Sequence, residues 1–201
     1  MVVIELAYNW HWLADLIMSQ IWCSALFEIR DYFWDLHVAI QNAMGWTDSH
    51  LHHFAVTDPT TGDKQYMGIP AEDEFDFDVH NTQPDWNFRV RDYLPENGTM
   101  IYLYDYGDNW YHLIEFEGSH EKKSNKKYPI CIAGERACPP EDVGGIPGYF
   151  NFLKIISDKN NDERKSMLYW VGGKYDPEKF NPTKVKFQSP GRRWKQVFEE
   201  D

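Results

Sequence analysis

The sequence predicts an α+β fold in one domain, in which a mainly antiparallel sheet packs against a few helices. Helical and strand patterns follow one another irregularly, unlike the regular alternation of a doubly wound parallel sheet. With 201 residues, 42% of them apolar and 16% aromatic, the chain can build one sizeable core. We therefore expect residues 1–201 to form a single domain that carries a basic C-terminal extension at 182–201.

The clearest helix is predicted at 33–44, where apolar residues recur every three or four positions. Asp31 is the expected N-cap, and Gly45 is the expected terminator. Weaker patterns predict further elements. These are a strand at 2–8, a short helix at 10–19, a strand at 50–57, an exposed edge or loop at 72–78, and helices at 149–157 and 162–171.

A β-hairpin is predicted from two aromatic and β-branched runs at 100–106 and 110–117, which flank a short turn. A two-residue loop would pair Leu103 with His112. In that register Asp105 and His112 share the apolar face of the hairpin.

The charge and the cysteine content exclude several classes of protein. There are 32 acidic residues against 20 Lys and Arg, which gives a net charge of −12 and makes a chain-wide nucleic-acid surface improbable. Three cysteines are too few for a disulfide framework. Neither a signal peptide nor an uncharged run of membrane-spanning length is recognisable. We therefore expect a cytoplasmic protein without a membrane partner.

The segment 131–149 reads CIAGERACPPEDVGGIPGY and contains two Cys, four Gly and three Pro. Proline and glycine weaken helices and central strands, so we expect a long irregular loop beside the hairpin. Glu141 and Asp142 are expected to cap backbone donors within that loop.

Three sequence blocks carry a resemblance to a known family: 33–54 (FWDLHVAIQNAMGWTDSHLHHF), 102–117 (YLYDYGDNWYHLIEFE) and 131–149. Together with 167–180 (MLYWVGGKYDPEKF), they resemble the signature blocks of the plasmid pRiA4b Orf-3-like family and span residues 21–181. The resemblance implies a prokaryotic protein of a family often found on plasmids and mobile elements, with no established biochemical role. The chain departs from the family pattern at Ile21–Ser24, where members usually have Pro-Pro-Ile-Trp-Arg-Arg, and at Val143, where members often have Cys.

A His/Asp cluster is the first candidate for chemistry. Imidazole and carboxylate groups bind divalent metals, and a catalytic metal needs three protein ligands and an open position. The candidate ligands are His50, His52, Asp105 and His112. Asp105 and His112 could instead form a catalytic acid–base pair. The competing interpretation is structural, with His112 satisfied in the core by a hydrogen bond to Asp105.

Two cysteines in the 131–149 segment form a second candidate site. Cys131 and Cys138 are separated by six residues, whereas zinc motifs favour closer pairs, and no second pair follows. Packing thiols are therefore the preferred interpretation.

The favoured function is a non-enzymatic binding or interaction module with an unidentified protein or small-molecule partner. No cofactor is predicted, although a divalent metal remains an alternative. The binding surface is expected where the hairpin turn meets the acidic loop. Its candidate residues are Asp105, Asp108, Trp110, Glu141, Asp142, Gly144, Gly145 and Tyr149.

Two alternative functions stay open. One is a metal-dependent hydrolase or nuclease that uses the His/Asp cluster. The other is nucleic-acid binding through the basic, aromatic C-terminal end, although a solvated tail or a docking strand would have the same composition. The cations of that end are Lys184, Lys186, Arg192, Arg193 and Lys195.

Overall fold

The predicted α+β class is confirmed by a computed structural model that describes residues 2–7, 21–27, 31–70, 82–95, 98–119, 121 and 123–199. A mixed sheet of eight described strands forms the centre of the fold. The helix predicted at 10–19 and the edge or loop predicted at 72–78 lie outside the described residues. None of the described helices has both the length and the apolar composition needed to cross a membrane.

The strands pair in the order β5-β4-β3-β6-β7-β1-β2-β8. Every neighbouring pair is antiparallel except β4 and β5, which run parallel. In chain order the strands are β1 Val2–Ala7, β2 Trp22–Phe27, β3 His52–Thr57, β4 Lys64–Gly68, β5 Thr82–Pro84, β6 Thr99–Tyr104, β7 Trp110–Ser119 and β8 Ile130–Glu135.

The described helices confirm the one predicted at 33–44 with its bounds, and those predicted at 149–157 and 162–171 with shifted ends. They are α1 Phe33–Met44, α2 Val90–Tyr93, α3 Gly145–Ser157, α4 Arg164–Trp170 and α5 Pro190–Phe198. Single 3₁₀ turns cover Asp85–Asn87 and Pro182–Lys184. α3 begins earlier than predicted because Pro147 lies in its first turn, where a missing N–H breaks no helical hydrogen bond.

α1 packs its apolar stripe against the sheet, and Phe33, Leu36 and Ile40 are almost fully buried. Its N-cap is Tyr32 rather than the predicted Asp31, because the Asp35 carboxylate accepts the Tyr32 backbone N–H at 2.8 Å. The predicted terminator is confirmed: Gly45 adopts φ 79° and donates its N–H to the Gln41 carbonyl.

The β6–β7 hairpin forms, but the predicted register is wrong by one residue. Tyr104 pairs with Trp110 and Tyr102 pairs with His112, so residues 105–109 make a five-residue loop. The wider loop is stabilised by the Asp105 side chain, which accepts the N–H groups of Gly107 and Asp108. Because side chains alternate along a strand, this shift moves the odd-numbered residues of β6 off the face that carries His112.

The 131–149 segment is irregular only between residues 136 and 144, which corrects the prediction of a long loop. Its first residues belong to β8 and its last residues belong to α3. β8 is the last strand in the sheet order, where one hydrogen-bonded neighbour is sufficient. The adjacent prolines Pro139 and Pro140 lie in the irregular part, as their missing donors require.

The C-terminal extension is folded between residues 190 and 198, so the prediction of a solvated tail or a docking strand is wrong there. Helix α5 packs on α1, with the rings of Trp194 and Phe198 each centred 5.6 Å from the Trp34 ring. Both rings also contact Trp86. The Trp34 indole N–H donates to the Pro190 carbonyl at 3.2 Å. Aromatic packing of this kind outweighs the tendency of a basic segment to remain solvated.

We expect Trp194→Ala to reduce the free energy of unfolding by about 2 kcal/mol, because it removes a half-buried ring between Trp34 and Trp86. The matched control is Lys195→Ala, which shortens an exposed side chain on the same helix and should change stability by less than about 0.5 kcal/mol. Urea denaturation of both variants measures the difference. Equal losses would show that α5 is not packed on α1.

Candidate functional site

Three chain segments bring one imidazole and two carboxylates together at one end of the sheet. His50 lies just before β3, Asp105 follows β6, and Asp142 lies in the loop before α3. The Asp105 N–H donates to the Leu51 carbonyl at 3.0 Å, which fixes the hairpin loop beside His50. His50 Nε2 lies 2.7 Å from Asp142 Oδ1 and 3.5 Å from Asp105 Oδ2. We call His50, Asp105 and Asp142 the surface cluster.

The hairpin loop and the loop before α3 are held together by direct backbone contacts. The Gly144 N–H donates to Asp108 Oδ2 at 3.1 Å. Gly145 adopts φ 63°, and a Cβ atom at this position would lie only 2.7 Å from the Asp108 carbonyl oxygen. A side chain is therefore excluded at Gly145 by both its backbone conformation and its surroundings. The predicted position of the loop beside the hairpin is confirmed.

Glu141 fixes the segment that carries His50. Its carboxylate accepts hydrogen bonds from the backbone N–H and hydroxyl of Thr47, from the Ser49 N–H and from the Tyr104 hydroxyl. Burial favours the protonated carboxyl group, but these hydrogen bonds hold the pKa of Glu141 below its ordinary value. The predicted capping role is thus corrected: Glu141 serves donors of the 47–49 segment and the neighbouring strand rather than donors of its own loop.

A groove between α3 and α4 opens beside the surface cluster. Its volume is about 410 Å³, and Asp142 belongs to its wall. Ser166 and Asn151 add polar groups, whereas Trp170 is a half-exposed aromatic wall. The apolar lining residues are Val143, Phe152, Ile155, Met167 and Trp170. The surface cluster therefore lies next to a cavity large enough for a small organic ligand.

A second His/Asp group is fully enclosed between α1 and the sheet. His37 Nε2 lies 2.9 Å from Asp48 Oδ1, and His52 Nε2 lies 2.9 Å from Asp85 Oδ2. The two imidazole rings stack with their centroids 3.5 Å apart and an interplanar angle of 7°. We call these four residues the buried cluster.

Hydrogen-bond partners define the tautomer of His37. A carboxylate only accepts, so His37 Nε2 carries the proton that it donates to Asp48. His37 Nδ1 then accepts from the Tyr102 hydroxyl at 2.9 Å, and that hydroxyl accepts from Gln41 Nε2 at 3.0 Å. Burial and the neighbouring His52 lower the pKa of His37 to about 4, which agrees with a neutral ring.

Arg193 of α5 balances the negative charge of Asp48. Burial opposes its ionisation, but the hydrogen bond from His37 lowers the pKa of Asp48 below its ordinary value. Arg193 places Nη1 3.5 Å from Asp48 Oδ2 and also donates to the Thr47 carbonyl. A charged partner at this distance stabilises the buried carboxylate.

The buried cluster is not arranged to bind a metal ion, although the donor atoms of His37, Asp48 and His52 lie within 4.8 Å of one another. The lone pairs of imidazole lie in the ring plane. In stacked rings these planes are nearly parallel and separate, so one ion cannot lie in the plane of both rings. The described hydrogen bonds identify this group as a structural network.

These segments match proteins of a known family. The sequence profile described as "Plasmid pRiA4b ORF-3-like protein" matches residues 13–184. The chain belongs to the plasmid pRiA4b ORF-3-like family. Both clusters and the α3–α4 groove fall inside the range matched by the pRiA4b ORF-3-like profile, whereas α5 lies beyond it.

Two similar proteins are described without an assigned activity, and one of them has a solved structure with the same fold. The uncharacterized protein y4hQ of Sinorhizobium fredii is 33% identical over 137 residues, which are 68% of this chain and just under two thirds (66%) of that relative. A crystal structure of a protein of unknown function from Methanosarcina mazei Go1 has a TM-score of 0.79 at 33% identity and covers 92% of this chain and 97% of the other. Similarity to the pRiA4b ORF-3-like family therefore identifies the architecture and leaves the function to be argued from the site.

The four metal ligands predicted from sequence are not brought together. His50 and Asp105 meet in the surface cluster, but His52 bonds Asp85 in the buried cluster. His112 is fully buried, with Nδ1 3.0 Å from the Trp110 carbonyl and its ring packed on Tyr102. The expected face shared by Asp105 and His112 depended on the wrong hairpin register.

The candidate binding residues separate into exposed and buried groups. Asp142 is exposed, and Asp108 and Gly144 form the contact between the two loops. Trp110 and Tyr149 are core residues with exposed fractions of 0% and 2%. The Tyr149 hydroxyl bonds the Tyr175 hydroxyl at 2.8 Å. These two aromatic residues stabilise the site without facing a ligand.

Sequence reasoning did not identify His37, Asp48 and Asp85 as partners. His37 lies within the apolar stripe of α1, and a polar residue in such a stripe is the signal that was available. It also did not recognise the contact of Cys131 with Cys23. Cys131 Sγ lies 2.9 Å from Cys23 Sγ, and no metal-binding group among the described residues includes Cys138.

We expect acid to destabilise the protein between pH 6.5 and pH 4 through His37 and His112. Burial lowers the pKa of His112 from 6.5 to about 4, so the unfolded chain binds the proton more readily throughout this interval. His112→Asn keeps a side-chain N–H near the Trp110 carbonyl and removes this titration. Between pH 6.5 and pH 4 the free energy of unfolding should fall in both proteins. The decrease in the variant should be smaller than that in the wild type, and the two decreases should differ by on the order of 3 kcal/mol. Urea denaturation at both pH values tests this, and equal decreases would contradict it.

Proposed function

We propose that the protein is a binding module whose surface cluster takes a divalent transition-metal ion. One observation carries the proposal: His50, Asp105 and Asp142 come from three separate segments, and their donor atoms lie within 4.8 Å of one another. The His50 side chain is 30% exposed and that of Asp142 is 64% exposed, so an ion can enter from solvent. Such a mixture of imidazole and carboxylate oxygen suits Zn²⁺ or Mn²⁺.

The charge of the site favours a cation. Two carboxylates face one imidazole within the surface cluster. Asp108 adds a third carboxylate in the same hairpin loop, where it accepts the Gly144 N–H. A cation bound beside His50 would therefore lie near the Asp105 and Asp142 carboxylates, which attract it.

The backbone at the surface cluster supports a functional role. Asp105 has φ 58° and Asp142 has φ 60°, so both carboxylates are carried by the sparsely populated left-handed conformation. Strained backbone of this kind concentrates at functional sites, where surrounding contacts hold it in place. Here the Asp105–Leu51 hydrogen bond and the Gly144–Asp108 hydrogen bond supply that support.

The position of the α3–α4 groove supports binding of an organic ligand together with the metal. Asp142 belongs to both the surface cluster and the groove wall. Three protein ligands leave coordination positions open, and a ligand that lies in the groove would reach them. The apolar walls would hold the remainder of such a ligand.

A binding role is better supported than metal-dependent hydrolysis. Hydrolysis needs a general base beside the metal-bound water. Among the described neighbours, the Glu141 carboxylate is engaged by Thr47, Ser49 and Tyr104, and Asp108 accepts a backbone N–H. These groups support the site, and we assign neither of them as a base.

Nucleic-acid binding through the C-terminal end has less support. Arg193 and Trp194 of α5 point to Asp48 and Trp34 of the same chain. The net charge of −12 opposes binding to phosphate backbones. We place the binding module in the cytoplasm, since its three cysteines do not suggest a disulfide framework.

Titration calorimetry of the full chain with ZnCl₂ tests the proposal. We expect one site per chain, and His50→Gln, Asp105→Asn and Asp142→Asn should each weaken binding by about 100-fold or more. The matched control is Asp162→Asn, which makes the same change in charge at an exposed position before α4 and should retain wild-type affinity.

Two results would contradict the proposal. One is the absence of saturable binding of Zn²⁺ and of Mn²⁺ by the folded wild-type protein. The other is unchanged affinity in all three cluster variants, which would place the ion elsewhere. Circular dichroism of each variant at the titration temperature establishes that a lost site is not lost folding.

A further inference from the structure

Two of the three cysteines of the chain meet although they are 108 positions apart. Cys23 lies on β2 and Cys131 lies on the neighbouring strand β8. Their sulfur atoms are 2.9 Å apart. The third thiol, Cys138, lies in the irregular segment after β8 and has no such neighbour among the described residues.

The pairing of β2 and β8 places both thiols on one face of the sheet. Cys23 lies opposite Gly134, and Ala25 lies opposite Cys131, with an irregularity in between. The two cysteines are therefore diagonal cross-strand neighbours. The exposed fractions of Cys23 and Cys131 are 2% and 7%, whereas the adjacent Ile132 is 46% exposed on the opposite face.

The sulfur atoms of Cys23 and Cys131 are already close to the separation of a covalent disulfide bond. A disulfide has a sulfur–sulfur length of about 2.05 Å, so closure needs an approach of only about 0.9 Å. The sheet thus holds the two thiols in a geometry from which they can react.

We propose that Cys23 and Cys131 form a reversible disulfide when the protein meets a two-electron oxidant such as hydrogen peroxide. The Cys131 thiolate attacks one peroxide oxygen, the O–O bond breaks, and hydroxide leaves to be protonated to water. The sulfur of Cys23 then attacks the sulfenic acid at Cys131, the S–S bond forms, and the S–O bond breaks with loss of a second water. The two thiols lose two electrons and two protons, and one peroxide is reduced to two waters.

The environments of the two thiols assign their roles. The hydrogen bond from Cys23 lowers the pKa of Cys131, so Cys131 is the thiol that ionises first. The same hydrogen bond, together with burial, raises the pKa of Cys23, which retains its proton. β8 is the last strand in the sheet order, so Cys131 also lies on the more accessible of the two strands.

The bond would fasten the end of the sheet that leads into the candidate site. β8 continues into residues 136–144, which carry Glu141 and Asp142. A cross-link between residues 108 positions apart closes a long loop and therefore strongly restricts the unfolded chain. Oxidation is therefore expected to raise the Tm by about 5–10 °C.

The test uses the wild-type full chain treated with one equivalent of hydrogen peroxide. The number of free thiols per chain, titrated after denaturation, should fall from three to one. A non-reducing digest analysed by mass spectrometry should contain a peptide that links Cys23 to Cys131. Dithiothreitol should restore three thiols and the original Tm. Cys138→Ser is the matched control and should form the same link.

The proposal fails if three thiols persist after treatment, or if the linked peptide contains Cys138. Cys131→Ser should give no intramolecular link and no oxidative rise in Tm. An intramolecular link or an oxidative rise in Tm that persists in Cys131→Ser would also contradict the proposed disulfide. Because the wild-type digest identifies the bond directly, a variant that fails to fold leaves the test intact. Neither the metal titration nor its outcome enters this experiment.

Discussion

The hydrogen-bond demand of the buried cluster constrains most of the fold. His37 of α1 needs an acceptor and a donor at the same time, and only Asp48 and the β6 hydroxyl of Tyr102 provide them among the described contacts. Its ring also stacks on His52 of β3. The hydrogen bonds of His37 to Asp48 and Tyr102 tie α1 to the sheet, because breaking them would leave buried polar groups unpaired. The segment between Asp48 and His52, which presents His50 to solvent, is thereby fixed at both ends.

The features of the fold that could be predicted from sequence are those set by residues close together in the chain. Local patterns identified α1 and the hairpin, because apolar spacing and turn residues act over a few positions. The hairpin register was wrong because it is determined by hydrogen bonds inside the loop, where Asp105 serves two backbone donors. That shift separated Asp105 from His112, and the bond of His52 to Asp85 removed a further member of the candidate metal set. Register errors therefore affect predicted sites more than they affect predicted folds.

The candidate site was predicted in part. His50, Asp105 and Asp142 were each singled out, but as members of different candidate groups. Their meeting depends on Gly145, whose missing side chain lets α3 begin against the Asp108 carbonyl, and on Glu141, which binds the 47–49 segment. Contacts between segments far apart in the chain leave no periodic signal in one sequence. The pairing of Cys23 with Cys131 was missed for the same reason.

Helix α5 lies beyond the range that the family profile matches, but it packs on residues within that range. The family profile ends at residue 184, yet Arg193 reaches a carboxylate that belongs to the interior network, and two aromatic rings of α5 cover Trp34. A fragment that ends at residue 184 would leave the Asp48 carboxylate without Arg193 and expose the aromatic surface around Trp34. Such a fragment would expose hydrophobic surface and would tend to self-associate. For this chain, the match to the family profile ends at residue 184, whereas packing against the profile-matched core continues through α5.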